Sequence, residues 1–365
     1  MVKNKKKLII FMPSIEDGGV EKNLFLISNY LSHKINSITL ITFNNNQNKK
    51  FNSNIKIKTP LFNPSFIRGR YLKYFLCLLV LLKITLFDKK NLVLSFQANI
   101  FVIILCKFLN LKIISRSNSS SLGWSNNFFK QSIFKIFFKK ADKIIVNSYE
   151  FKKEMDKKYK INCICILNPF NFNEIKKKSS YKTNFIFQKK NIKLITVGRV
   201  TDQKDFVTIL KALNIVKKNN VELAIIGKGE KETEIKRYIE LNNLNKKVRL
   251  LGYKKNPFPY IIKSDILILS SKFEGLPNIL LEAQYLKKYI ISSNCPSGPK
   301  EILMSGKAGD LFKLNDYKDL ANKINKYCIS KKRYKKKILL GYNNLYRFDH
   351  KKNCQKYYEI LNNFF

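Results

Sequence analysis

Short apolar runs recur along the chain at 8–12, 37–43, 92–95, 111–115, 143–147, 193–197, 221–226, 248–251, 266–269 and 289–292. Most are separated by a segment of helical length. Runs such as 8–12 and 266–269 are apolar without alternation, which suits a strand buried on both faces of a parallel sheet. Strand, helix, strand repeated in this way predicts an α/β protein. Many runs end in a glycine turn: Gly18-Gly19, Gly198, Gly227-Lys-Gly229 and Gly252. In open α/β sheets the crevice outside the carboxyl ends of the strands is where ligands bind. A chain of 365 residues exceeds one ordinary core and predicts two domains. The first is expected at 1–170, closed by Asn168-Pro169, and the second at 191–345. The polar, Lys-rich stretch 171–190 reads as the linker between them. Residues 346–365 read as an additional helix, with Tyr357, Tyr358 and Leu361 on one face, packing back toward the first domain.

The charge is the second constraint. Seventy Lys and Arg against 25 Asp and Glu leave +45, of which residues 1–190 contribute +26 and the remainder +19. Such a field favours nucleic acid, anionic membrane or phosphorylated ligands. Heavy use of Lys, Asn and Ile accounts for part of it, so the charge indicates a location and not an activity. The basic, apolar segment 68–87 is where an anionic membrane surface would be met. Seven cysteines (77, 106, 163, 165, 295, 328 and 354) form no CxxC pair, and the only histidines are His33 and His350. Scattered thiols read as reduced core residues in the cytoplasm, and a zinc site has almost no ligands to draw on. A secretory leader is not expected, because 8–12 is too short an apolar core and runs into Pro13. The longest apolar run, 74–82, is cut by Lys83 and falls short of the roughly 20 residues a spanning helix needs.

The most informative stretch is 272–282, Lys-Phe-Glu-Gly-Leu-Pro-Asn-Ile-Leu-Leu-Glu. Gly275 permits a tight turn and a close backbone approach by a ligand. Pro277 suits the first position of a helix, so Glu282 falls on that helix's second turn and Glu274 in the loop before it. Two carboxylates at a strand's carboxyl end can accept hydrogen bonds from hydroxyls, while the helix N-terminus can hold an anion. Hydroxyls plus an anion describe a sugar phosphate or a nucleotide. A lone Glu pair is more often a solvated surface feature. Embedded in Phe-Glu-Gly-Leu-Pro-Asn and Leu-Glu-Ala, however, this pair resembles the E-x7-E signature of the family-4 retaining glycosyltransferases.

That resemblance covers nearly the whole chain and is densest from Gly198 to Leu303. It implies a GT-B architecture, two Rossmann-like domains whose parallel sheets face a central cleft. It further implies that Arg199, next to Gly198, and Lys204, which begins the following helix after a polar turn, clamp the diphosphate of the leaving nucleotide. Fixed cations stabilise developing charge without proton transfer. Glu274 would bind donor-sugar hydroxyls and Glu282 the ribose, with Gly275, Leu276 and Asn278 in the same nucleotide-sugar pocket. Tyr253 and Lys254 would line the nucleobase site. Gly18-Gly19-Val20-Glu21 resembles the loop of the first domain that approaches the diphosphate and the acceptor, although a plain βα turn would also use these glycines. The segment 294–303 resembles a subgroup that extends bacterial glycans on polyprenyl diphosphate carriers, commonly from UDP-sugars. Many relatives carry a His after the strand corresponding to 111–115. Here the residues are Arg116, Ser117 and Asn118, with Asn118 able to meet a sugar hydroxyl and Arg116 a phosphate.

The expectation is thus a retaining glycosyltransferase passing a hexosyl or N-acetylhexosaminyl group from a UDP-sugar to a lipid-linked glycan, at the cytoplasmic face of the plasma membrane. No Asp-x-Asp turn occurs in the chain, so no metal cofactor is expected. A nucleotide-sugar 2-epimerase of the same fold is the alternative. A nucleic-acid-binding protein is disfavoured, because the aromatics fall in apolar runs and no finger, RNP or KH pattern is present.

Overall fold

The computed structural model describes all residues except 1–5, 16–17, 44–45, 63–68, 119–127, 190 and 218–219. The chain divides into two compact units, Met1–Phe170 with Phe348–Phe365 and Asn171–Arg347.

The first unit is a parallel sheet of β1 (Lys7–Phe11), β2 (Ser37–Ile41), β3 (Ile55–Lys58), β4 (Asn91–Ser95), β5 (Ile113–Ser117), β6 (Lys143–Val146) and β7 (Cys163–Cys165), in the order β3-β2-β1-β4-β5-β6-β7. The register pairs Ile9 with both Thr39 and Val93, so the period of two sorts the side chains onto two faces. Ile9, Phe11, Val93, Ile113 and Ile144 face one core, and Leu8, Ile10, Leu94, Ile114 and Ile145 the other. Both faces are buried, which is why these strands read as continuous apolar runs and not as alternating ones.

Helices Arg70–Phe87, Asn99–Phe108, Phe128–Phe138 and Tyr149–Tyr159 cover the first face. The last of these starts where the Ser148 hydroxyl accepts a hydrogen bond from Phe151 N at 3.1 Å, satisfying an otherwise open donor. Helices Gly19–Leu31 and His350–Asn362 cover the other face, the latter through Cys354, Tyr357 and Leu361. The C-terminal helix is thus part of this unit's core. Where the chain leaves and re-enters the unit, Phe170 N donates to Phe348 O at 2.8 Å.

The second unit has β8 (Ile192–Val197), β9 (Val221–Ile226), β10 (Val248–Leu250), β11 (Ile266–Leu269), β12 (Tyr289–Ser293) and β13 (Asp310–Phe312), all parallel, in the order β10-β9-β8-β11-β12-β13. The strand order reverses between β8 and β11, so the turns following these strands lie side by side with a crevice between them.

Three local expectations need correction. Residues 171–190 are more than a linker, since they carry a helix, Phe172–Ser179, capped by Asn171 and anchored by buried Ile175. Its Phe172 stacks on Tyr285, 5.2 Å between centroids. Two apolar side chains suffice there, because the rest of the helix is a lysine-bearing surface. Pro277 is the N-cap of helix Asn278–Tyr285, in extended backbone, one residue earlier than expected. Lys204 lies in the turn before helix Phe206–Ile215 instead of beginning it.

Candidate functional site

In the second unit the glycine turns are packed backbone against backbone. Gly227 has φ +154°, and a Cβ there would lie 1.8 Å from Gly198 O; a Cβ on Gly229 would lie 2.3 Å from Val200 O. Gly227 N donates to Gly252 O and Gly198 N to Ile226 O, both at 3.0 Å. The turns after β8, β9 and β10 therefore form one continuous edge that no side chain at these positions would permit.

The turn after β8 is laced to the loop after β11. Gln203 Nε2 donates to Phe273 O at 3.0 Å, Ser270 Oγ donates to Lys204 O at 2.7 Å, and Lys272 N donates to Gln203 O at 2.8 Å. These bonds hold the stem of Lys204 over Gly198 and bring its ammonium into an ion pair with Glu274. Ser271 Oγ donates to the same Glu274 oxygen at 2.6 Å. Glu274 and Ser271 are buried, while Arg199 stands exposed in the same turn as Lys204. Among the described residues Arg199 makes no ion pair, so its charge remains available to an anion.

The loop after β12 supports this arrangement from the other side. Gly298, at φ +80°, has Gly275 O only 2.0 Å from where a Cβ would sit. Ser293 Oγ donates to Ser271 O at 2.6 Å. Gly275, Leu276, Asn278 and Glu282 are all buried along the loop and the first turns of helix Asn278–Tyr285. Burial pushes the nearby Cys295 thiol up to about 12, with the Glu274 charge adding to the effect. Cys295 is therefore a neutral thiol and not a nucleophile. Among the described residues no three His, Cys, Asp or Glu side chains are grouped to share a metal ion.

Lys254 stands at the edge beside β10, where it lines a cavity of about 550 Å³ with Tyr181, Phe185, Leu251 and Tyr260. Tyr253 is half-exposed and does not line it. Tyr181 and Phe185 come from the stretch read as a linker, and nothing in that Lys-rich sequence singles them out. Ser271, which orients Glu274, was also missed. Its signal was the second of two serines following an apolar strand, three residues before the carboxylate.

In the first unit Gly18 is the N-cap of helix Gly19–Leu31, and the Glu21 carboxylate folds back over it. Its Oε2 lies 2.5 Å from where a Gly18 Cβ would be, so any side chain at 18 would displace Glu21. A carboxylate at this helix start already complements the dipole. Arg116 requires correction. It sits on β5, not in a loop, and is completely buried. Its Nε donates to Tyr357 Oη at 2.7 Å and its Nη2 to Asn168 Oδ1 at 2.9 Å, with the guanidinium 5.3 Å over the Phe96 ring. Arg116 ties the C-terminal helix to the sheet and does not face a phosphate. Asn118 is partly buried and donates to Phe96 O at 3.0 Å, while its Oδ1 is without a partner among the described residues. Asn147 donates to Asn118 O at 3.2 Å. The loop beyond Asn118, with Trp124, lies outside the described residues.

A lysine paired with a buried carboxylate at a switch point, beside an exposed arginine in the same glycine turn, is suited to a sugar-bearing diphosphate. Residues 177–340 match the family model "Glycosyl transferases group 1". The sequence is 30% identical over 338 residues to an uncharacterized glycosyltransferase of Methanocaldococcus jannaschii, covering 82% of this chain and 77% of that one. The chain belongs to the group 1 glycosyltransferases. This glycosyltransferase is also 26% identical over 335 residues to a Campylobacter jejuni α-1,4-N-acetyl-D-galactosaminyltransferase, named for an acceptor carried on PP-undecaprenol, covering 87% of this chain and 88% of that one. Its fold is similar to that of Anabaena HepE, solved with UDP, at a TM-score of 0.78 and 15% identity over 98% of this chain and 100% of that one. Two parallel-sheet Rossmann-like halves make the glycosyltransferase a GT-B protein.

Proposed function

We propose that this glycosyltransferase moves a hexosyl or N-acetylhexosaminyl group from a UDP-sugar to a polyprenyl diphosphate-linked oligosaccharide, with retention at the anomeric carbon, in the assembly of a surface glycan. The observation that carries the reading is the Lys204–Glu274 pair beside exposed Arg199, at the switch point of the second unit. Lys204 and Arg199 supply the positive charge that a departing nucleoside diphosphate needs, preorganised by the loop-to-loop hydrogen bonds. When phosphate oxygens engage Lys204, Glu274 is released to accept hydrogen bonds from the sugar, still oriented by Ser271. Glu282, on the next turn but one, is assigned to the ribose. The acceptor is supported by the Campylobacter jejuni relative, whose name specifies a PP-undecaprenol carrier.

An acceptor of this kind is anchored in a bilayer, so the enzyme works at a membrane surface, which we place at the inner face of the plasma membrane. No described helix is long and apolar enough to cross a membrane.

We further infer that catalysis needs no metal ion, the two cations neutralising the leaving group in its place. Transfer to a purified lipid-linked acceptor should survive excess EDTA. Arg199→Ala should lower kcat about 100-fold, the scale of removing one preorganised charge-stabilising group. Loss of turnover in EDTA with recovery on adding Mg²⁺ would refute the clamp role of Arg199 and Lys204. A sugar-nucleotide epimer formed without acceptor would refute the transfer.

A further inference from the structure

Four helices cover one face of the first unit's sheet, and three of them are apolar on the outside as well. On helix Arg70–Phe87, Cys77, Leu81 and Thr85 point into the core. The opposite stripe, spaced by three, four and seven residues, is Leu72, Phe75, Leu79 and Leu86, all exposed. Helix Asn99–Phe108 repeats the pattern, with Val102, Ile103 and Cys106 inward and Phe101, Ile104 and Phe108 outward. Ile133 and Ile136 are exposed on helix Phe128–Phe138. The middle helix packs against both of the others, so the three stripes are neighbours. The fourth helix, Tyr149–Tyr159, is the contrast: it buries Phe151, Met155 and Tyr159 and turns lysines and glutamates outward, as a solvent-facing helix does. A contiguous apolar face confined to three adjacent helices marks a docking surface.

The charges on that face identify the occupant. The three helices contain no Asp or Glu. Arg70 and Lys83 are exposed on the first, Lys135 stands partly exposed on the third and is followed by exposed Lys139 and Lys140, while Lys107 on the middle helix pairs with Asp142 at 2.7 Å. Two copies of this chain would bring like charges together across such a contact. An anionic bilayer offers both an apolar interior and a complementary headgroup layer. We propose that the outer face of these three helices docks on an anionic lipid bilayer, the leucine and phenylalanine side chains entering the acyl boundary while the lysines meet the headgroups. The helices lie along the surface and do not span it.

The proposal rests on the lipid-linked acceptor reading, and its test keeps the two apart. The full chain is mixed with phosphatidylcholine vesicles with or without phosphatidylglycerol, and bound protein is separated by flotation. Wild type should float with the anionic vesicles. The triple variant Phe75→Gln/Leu79→Gln/Phe108→Gln alters only exposed positions, so its melting should be unchanged while its partition falls at least about tenfold, as apolar burial at the interface requires. Its transfer to a short-chain, water-soluble prenyl diphosphate acceptor should equal that of wild type. The docking surface is overturned if wild type fails to float, if the variant floats equally well, or if the substitutions instead convert a dimer into a monomer in sedimentation. Normal flotation with no transfer to any prenyl diphosphate acceptor would leave the surface standing and remove the acceptor reading.

Discussion

Glu274 and Glu282 are both buried carboxylates with seven residues between them, yet their surroundings differ. Glu274 accepts from Lys204 and Ser271 on a single oxygen, which orients it; the proposed function has it exchange the lysine for ligand hydroxyls. Glu282 lies within the second turn of helix Asn278–Tyr285, with no loop to let it move. Removing Lys204 would strand a buried charge and cost stability, so the carboxylates are the cleaner positions to vary. Glu274→Ala should lower kcat about 100-fold at saturating donor, because the proposed function assigns its contacts to the reacting sugar. Glu282→Ala should instead raise KM for the donor by about 10- to 100-fold, the loss of one charge-assisted hydrogen bond. Steady-state kinetics decides it, and wild-type values in both variants would remove the assignment.

The C-terminal helix, His350–Asn362, is the element whose role is least visible from its own residues. Its Tyr357 hydroxyl reaches Arg116 on β5, and both side chains are fully buried. Burial raises the tyrosine pKa, opposed by the Arg116 charge, so the phenol stays neutral at the pH where the protein works. Among the described residues Arg116 has no carboxylate partner, and Tyr357 and Asn168 are the acceptors that solvate it. Tyr357→Phe keeps the ring and deletes one acceptor of a buried cation. It should destabilise the first unit by about 1–3 kcal/mol, a fall of several degrees in melting temperature, with donor affinity unchanged. Calorimetry with a nucleotide titration would separate that outcome from a direct role in binding.

The whole molecule is a chain that builds one unit, then another, and then returns to complete the first. Cys354, Tyr357 and Leu361 are part of the core on one face of the first sheet. A chain ending at residue 347 should therefore leave the first unit partly uncovered, with exposed apolar surface and loss of its cooperative melting. The second unit, residues 171–347, keeps its own core and should still melt as one transition. Two calorimetric transitions unchanged by the truncation would contradict this.

The sequence alone determined the α/β class, the parallel sheets and the Glu274 loop. Strands buried on both faces are continuous apolar runs, and the turn chemistry of Gly275 and Pro277 is local, so both can be read without a fold. It located Lys204 and Glu274 separately, but their ion pair depends on β8 and β11 being neighbours at the switch point, which is a property of strand order. It placed Arg116 near a ligand because a strand end was set two residues early. Only the return of Tyr357, 241 residues later, shows where the guanidinium is spent. It passed over helix Phe172–Ser179, since two apolar residues among lysines carry too weak a period to register. It recognised 68–87 as basic and apolar, with Arg68 outside the described residues. Which of those apolar side chains face outward was decided only by the packing of three helices on one sheet, because burial belongs to the fold and not to the residue.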